Sequence, residues 1–252
     1  MRLTTAAGLA VVAVIATVGA IAGVRTLTAA PNVVWFGGTT HGPRTSDAVA
    51  LTFDDGLNGD TTLAIADVLE RHGAHGTFFA VGRTLPAQRE VARTLVERGH
   101  LLGNHSQDHA WPSLLDTRYD DVARAQRTFA ETLGVCPRYF RPPHGMHTPF
   151  MLRAVDRAGM RLVNWDVEVR DWDATDAERL AAHVLDAVRP GSVVLLHDGR
   201  DGEAGVDRAV LIAALPKILD GLQARGLRAV RLDVLLGEPG NLERCTGATT
   251  AR

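Results

Sequence analysis

Lysine is nearly missing from this chain: Lys217 is the only one, and arginine supplies the rest of the 27 basic side chains against 29 acids. The formal net charge of −2 leaves no basic excess, which removes nucleic acid as an expected partner. Cysteine is scarce too. Cys136 and Cys245 are the two present, enough for one disulfide and too few for a disulfide framework. Charge is absent between Arg2 and Arg25, where GLAVVAVIATVGAIAGV fills residues 8–24. That run is longer than the apolar core of most signal peptides and close to a bilayer span, and TLTAAP after it offers small residues for cleavage. A cleaved secretory signal and an uncleaved anchor both fit residues 1–30, and either sends the remainder out of the cytoplasm. Outside the cytoplasm a Cys136–Cys245 bridge is permitted, and two free thiols are the alternative. No solenoid-length repeat interrupts the chain, whose 252 residues suit one large domain or two small ones.

Residues 31–46 (PNVVWFGGTTHGPRTS) read as a linker. From residue 48 short apolar runs alternate with segments of helical period. Strand candidates are AVALTF (48–53), HGTFFAV (75–81), HLLGNH (100–105), RYFRP (138–142), RLVNWDV (161–167), SVVLLHD (192–198) and LRAVRLDVLL (227–236). Between them, 61–73, 86–99, 119–134, 148–159, 176–188 and 207–226 carry apolar residues three and four apart, several closing on glycine. Seven strands alternating with six helices predict a parallel α/β fold, either a closed or partly closed barrel or an open doubly wound sheet. No GxGxxG follows the first strand, which counts against dinucleotide binding.

Polar residues interrupt the strands at their C-terminal ends: Asp54 and Asp55, His105, Arg141, Asp166 and His197. That is the face on which barrel enzymes gather their chemistry. His105 and His109 stand four apart and, with a carboxylate from another strand end, make a three-ligand site for zinc or a similar divalent ion. The pair Asp54–Asp55 is the harder feature. Strand alternation sends neighbours to opposite faces, so the two acids are expected to do different jobs, one as ligand and one as base for a water. Metal-assisted hydrolysis of an amide or ester is the reaction class.

Five ordered motifs, TFDDG (52–56), HSQDH (105–109), RPPHG (141–145), WDVEVRDW (165–172) and LLH (195–197), resemble those of the polysaccharide deacetylases, the NodB-type group of carbohydrate esterase family four. The resemblance implies a distorted β/α barrel of about seven strands as a catalytic domain over 47–237, followed by a tail at 238–252. It implies Asp54 as general base and Asp55, His105 and His109 as ligands of a divalent metal, zinc first and cobalt or another transition metal next. Arg141 would hold Asp54 ionised, and His197 would be the general acid, oriented by Asp171. Trp172 and Leu195 would flank the acetyl group, with a backbone donor near Gly145. The substrate implied is an acetylated polysaccharide, from peptidoglycan or chitin oligomers to acetylated xylan, handled by a monomer that contacts the cell envelope if the first segment is uncleaved. A catalytically silent cell-wall binding module and a hydrolase of non-sugar amides are the rival readings. Two residues depart from the family pattern: His144 where Tyr is usual, and Glu168 where Asp is usual.

Overall fold

The structure is a computed structural model and describes residues 37–112 and 115–245. The expected signal or anchor at 1–30 lies outside them. Among the described residues no helix is long and apolar enough to cross a membrane.

The first strand, β1 (Ala48–Asp54), is buried along its whole length. Its alternate residues go to two different cores. Val49, Leu51 and Phe53 pack outward against helical residues such as Ile65, Leu69 and Ile218. Ala48 and Ala50 point inward with Phe79, Trp165, Val193 and Leu195. Small inward and large outward residues are what a tightly curled sheet under a helical layer requires. On one flank of β1 the order continues through β2 (Thr77–Ala80), β3 (Leu101–Asn104), β4 (Tyr139–Phe140) and β5 (Arg161–Leu162). On the other lie β7 (Val193–His197) and then β6 (Val167–Glu168), and every pairing is parallel. A short β8 (Arg228–Val230) pairs with Ala48–Ala50 on the flank whose later residues pair with β2.

The two edge strands prove the curl. β5 and β6 lie at opposite ends of the sheet order, yet only residues 163–166 connect them. At about 3.5 Å per residue that link spans less than roughly 20 Å, so the edges must come round to face each other. The expected single strand RLVNWDV is therefore two strands across the barrel seam. Residues 39–44 close the seam instead of forming free linker. Thr39 bridges Val163, His41 bridges Ser192, and Arg44 pairs with Asp166 at 2.7 Å. Asp166, expected on the catalytic rim, accepts the Val193 N–H at 2.7 Å and so sits where β7 begins, at the other end of the barrel.

Helices α1 (Gly59–Arg71), α2 (Arg89–Glu97), α3 (Asp120–Leu133), α4 (Pro149–Arg157), α5 (Ala177–Ala187) and α6 (Ala209–Ala224) follow the predicted segments. Their ends obey local chemistry. Thr148 caps α4 through Met151 N–H with Pro149 behind it, Asp176 caps α5 through Arg179 N–H, and Gly134 closes α3 at φ 70. A further expectation fails: LRAVRLDVLL is not one strand. After β8 it becomes α7 (Leu232–Leu236), whose Leu232 and Leu235, three apart, plug the barrel interior. A short apolar run does not declare its own period. Cys136 and Cys245 are joined, with Cα atoms 5.2 Å apart, and Leu242 N–H donates to Cys136 O at 2.8 Å. The described part of the tail is thus bound to the body.

Candidate active site

β1 delivers Asp54 inward by simple alternation, since Ala48, Ala50, Thr52 and Asp54 share one side. Asp55 ought to point away. Its backbone takes φ 69, a left-handed conformation that breaks the alternation and swings its carboxylate to the same rim. Both acids line one cavity of about 590 Å³. A non-glycine residue held this way costs on the order of 1–3 kcal/mol and persists only where neighbours enforce it. The enforcers are close. Gly202 N–H donates to Asp55 O at 3.0 Å, and a side chain on Gly56 would run into the buried Asp198 carboxylate. Ser106, His109, His144, Arg170 and Asp201 share the left-handed conformation, and all lie at or beside the rim.

Asp55, His105 and His109 offer ligand atoms within 4.8 Å of one another. Asp55 Oδ1 lies 3.2 Å from His105 Nε2 and 2.9 Å from His109 Nε2. His105 Nδ1 donates to the Arg141 carbonyl at 2.8 Å, and His109 Nδ1 donates to Asp201 Oδ1 at 2.9 Å. With both Nδ1 atoms donating away from the pocket, each ring turns its Nε2 toward the Asp55 carboxylate, so three potential ligand atoms converge. A cation satisfies all three. Ligands at about 2.0–2.2 Å around a tetrahedral ion stand about 3.3–3.6 Å apart, close to the spacing seen. The site also favours a charged carboxylate. Burial opposes ionisation of Asp55, but the two imidazoles overcome it and hold its carboxyl well below the usual range.

Asp54 belongs to a different network. Arg141, at the end of β4, is fully buried and donates from Nη1 to Asp54 Oδ1 at 2.7 Å and to Thr52 Oγ1 at 2.8 Å. Its Nε and Nη2 reach the Val163 and Asn164 carbonyls, each at 3.1 Å, and its plane lies over Phe79 at 4.1 Å. The guanidinium fixes one carboxylate oxygen, while Oδ2 sits 3.8 Å from His105 Nε2 on the side of the metal ligands.

Across the cavity β7 ends in His197. Asp171 Oδ1 accepts from its Nδ1 at 2.8 Å, and Oδ2 accepts from its backbone N–H at 2.8 Å. Burial pushes the imidazole pKa down, but the Asp171 carboxylate outweighs it and raises His197 to about 9. Trp172 meets the ring edge-on at 4.9 Å, and Trp172 and Leu195 supply apolar wall.

Nine of the ten expected site residues are thus gathered at one rim. Gly145 is the exception. It is buried outside the cavity lining, its N–H donates to Pro142 O at 3.0 Å, and its carbonyl accepts from Asn164 Nδ2 at 3.0 Å. His144, the residue before it, is the one in that turn that faces the cavity. Burial lowers His144 to about 4, helped by the nearby His109 and His105, and Trp111 stacks on it at 3.6 Å. Glu168 also lines the cavity and accepts the Trp165 indole N–H at 3.0 Å.

Sequence reasoning missed two acids. Asp198 is fully buried under Gly56, hydrogen-bonded by Thr62 Oγ1, and raised to about 7 chiefly by burial. Asp201 reaches His109 from the loop after β7. The first follows His197 directly and was legible as a neighbour; the second sits in a Gly-rich loop with no pattern to mark it.

Fold and site together define a β/α-barrel hydrolase with a candidate centre for a divalent cation. Residues 41–163 match the family model described as polysaccharide deacetylase. A chitooligosaccharide deacetylase of Azorhizobium caulinodans is 38% identical over 190 residues, covering 71% of this chain and 90% of that protein. The chain belongs to the polysaccharide deacetylase family. Among solved structures, a peptidoglycan N-acetylglucosamine deacetylase in complex with 4-naphthalen-1-yl-N-oxidanyl-benzamide aligns with a TM-score of 0.75 at 27% identity, over 81% of this chain and 94% of that one. A family 4 carbohydrate esterase pseudoenzyme of Bacillus anthracis shares the fold at a TM-score of 0.71 and 23% identity, over 78% of this chain and 67% of that one.

Proposed function

We propose that this protein hydrolyses acetyl groups from N-acetylated sugars of an extracytoplasmic polysaccharide, with chitin oligomers and peptidoglycan as the substrates to test first and acetylated xylan next. The observation that carries the reading is that two separately held groups, Asp54 on Arg141 and His197 on Asp171, line the same cavity as the Asp55–His105–His109 triad. A binding module has no use for an acid and a base each fixed by its own buried partner.

Asp55, His105 and His109 would hold the divalent ion, zinc by preference of the two-imidazole, one-carboxylate donor set and otherwise cobalt or a related metal. When bound, such an ion supplies Lewis acidity toward a carbonyl and a water. Asp54 accepts the proton from the water that attacks the acetyl carbon, its other oxygen being tied to Arg141 so that Oδ2 faces the reaction. As the C–N bond breaks, His197 gives its Nε2 proton to the departing amine, which is a poor leaving group otherwise. Acetate and a free amino sugar result. Leu195 and Trp172 form the apolar walls against which an acetyl methyl packs.

One further observation bears on setting. A Cys136–Cys245 bridge suits an oxidising compartment and supports an extracytoplasmic location. The working state proposed is a monomer, and gel filtration against size standards tests it. Whether residues 1–30 are cleaved or anchor the protein is decided by sizing the mature N-terminus.

The direct test is acetate release from chitin oligomers and from peptidoglycan, with and without chelator. Chelator-sensitive acetate from either supports the reading. Release only from a non-sugar amide, or from nothing at all, would overturn it.

A further inference from the structure

The loop after β7 touches the metal triad twice, through two consecutive residues. Asp201 Oδ1 accepts from His109 Nδ1 at 2.9 Å, and Gly202 N–H donates to the Asp55 carbonyl at 3.0 Å. His109 is buried, whereas the Asp201 side chain is 55% exposed, so the carboxylate reaches in from the surface to a ring that cannot turn outward. The loop tip is itself held in place. Arg83 donates to the Asp201 carbonyl and, from Nη1 at 2.9 Å, to the Asp108 carbonyl beside His109. Glu203 N–H returns to Arg200 O at 2.7 Å to close the tip. Gly202 has φ 72, and a Cβ there would stand 3.0 Å from Thr84 Cγ2 and 3.1 Å from Arg83 Nη2. This tight backbone fits glycine and little else.

We infer that Asp201 is a positioning residue for the metal centre, holding His109 in the Nδ1–H tautomer so that Nε2 is the atom offered to a divalent cation. The inference rests on the reading of Asp55, His105 and His109 as a metal site. Its physical basis is general. A carboxylate on the far nitrogen of a ligating imidazole fixes the ring's orientation and raises its donor strength, and removing such a partner weakens metal affinity by roughly 10–100-fold. His105 has a backbone carbonyl in the same role, from Arg141. His109 has a side chain, so its half of the site can be altered by substitution.

The measurement is the zinc dissociation constant of the full chain, by competition with a chromogenic chelator, for wild type, Asp201→Ala, Asp201→Asn and the loop control Glu203→Ala. Melting of each metal-free protein reports on folding. Asp201→Ala should bind zinc roughly 10–100-fold more weakly with an unchanged metal-free melting temperature. Asp201→Asn, which keeps an acceptor oxygen but no charge, should fall between, and Glu203→Ala should match wild type. In cobalt-loaded protein the visible ligand-field bands should shift in Asp201→Ala. Zinc affinity within twofold of wild type in Asp201→Ala, or equal losses in Asp201→Ala and Glu203→Ala, would overturn the inference while leaving the metal site standing. Wild-type protein that takes up no zinc or cobalt would overturn the metal site, and the role of Asp201 with it.

Discussion

Asp171 grips His197 at two points, the ring Nδ1 through one carboxylate oxygen and the backbone N–H through the other, each at 2.8 Å. A single hydrogen bond would leave the imidazole free to pivot. Two from one rigid group fix both the ring and the strand end that carries it, so Nε2 keeps its aim at the cavity. The same carboxylate outweighs the effect of burial and brings His197 to about 9, which keeps it protonated near neutrality, as the proposed general acid must be.

Asp171→Asn should therefore move the alkaline limb of kcat/KM. The acid form is required, and activity is lost as pH rises through the His197 pKa. Removing the carboxylate's charge lowers that pKa, by roughly one to three units, so the limb moves to lower pH while the acidic limb stays. A bound cation beside Asp54 and Asp55 offsets part of their upward pull on His197 but leaves the Asp171 contribution in place. A pH–rate profile of the two proteins checks this, and an unmoved alkaline limb would remove His197 from the acid role.

Asp54→Asn and His105→Ala should separate base from ligand. The first should cut turnover by about 10²–10⁴-fold with zinc still bound, because the amide cannot accept the water's proton. The second should lose zinc as well as activity. Metal content after gel filtration, read beside acetate release, tells them apart. Full activity in Asp54→Asn would mean that another group takes the proton.

Arg141→Met should destabilise the fold by roughly 3–5 kcal/mol, since it leaves Asp54 buried without its partner. The double variant Asp54→Asn, Arg141→Met should recover part of that loss by removing the stranded charge. Urea unfolding of the four proteins measures the coupling. Equal losses in the single and double variants would show that Arg141 acts through packing on Phe79 and not through the ion pair.

Cys136→Ser with Cys245→Ser should lower stability by about 2–4 kcal/mol, the usual effect of a bridge that closes a long loop. The bridge spans 109 residues of sequence, and neither cysteine lines the catalytic cavity. Turnover at low temperature should accordingly match wild type while the melting temperature falls.

Trp111 covers one face of His144, whose ring borders the cavity next to His109. This is where the chain departs from the tyrosine usual in its family, and His144→Tyr is the informative exchange. The structure already places an aromatic ring there with its partner stacked upon it. Tyrosine should keep the stack and preserve zinc affinity within about twofold, whereas His144→Ala should loosen the HSQDH loop and raise KM.

Much of this was legible in the primary structure. The alternation of apolar runs and helical periods determined a parallel α/β fold, because strands buried on both faces and helices buried on one leave different spacings of apolar residues, and the barrel form came with the family resemblance. Polar residues at strand ends marked the rim, since carboxylates and histidines seldom break an apolar run without a partner to satisfy them. Five short motifs in order then pointed to the proposed base, ligands and acid. Tertiary structure decided the rest. Only the closing of the barrel split RLVNWDV into β5 and β6, carried Asp166 to the far end and drew residues 39–44 into the seam, for these depend on which edges meet in space. Only the left-handed turn at Asp55 brought two adjacent acids to one cavity, and it exists because Gly202 and the Asp198–Gly56 contact hold it from 140 or more positions away. Sequence distance hides such supports, and it hid Asp201 on His109 for the same reason: hydrogen bonds act over about 3 Å, whatever the length of chain between the partners.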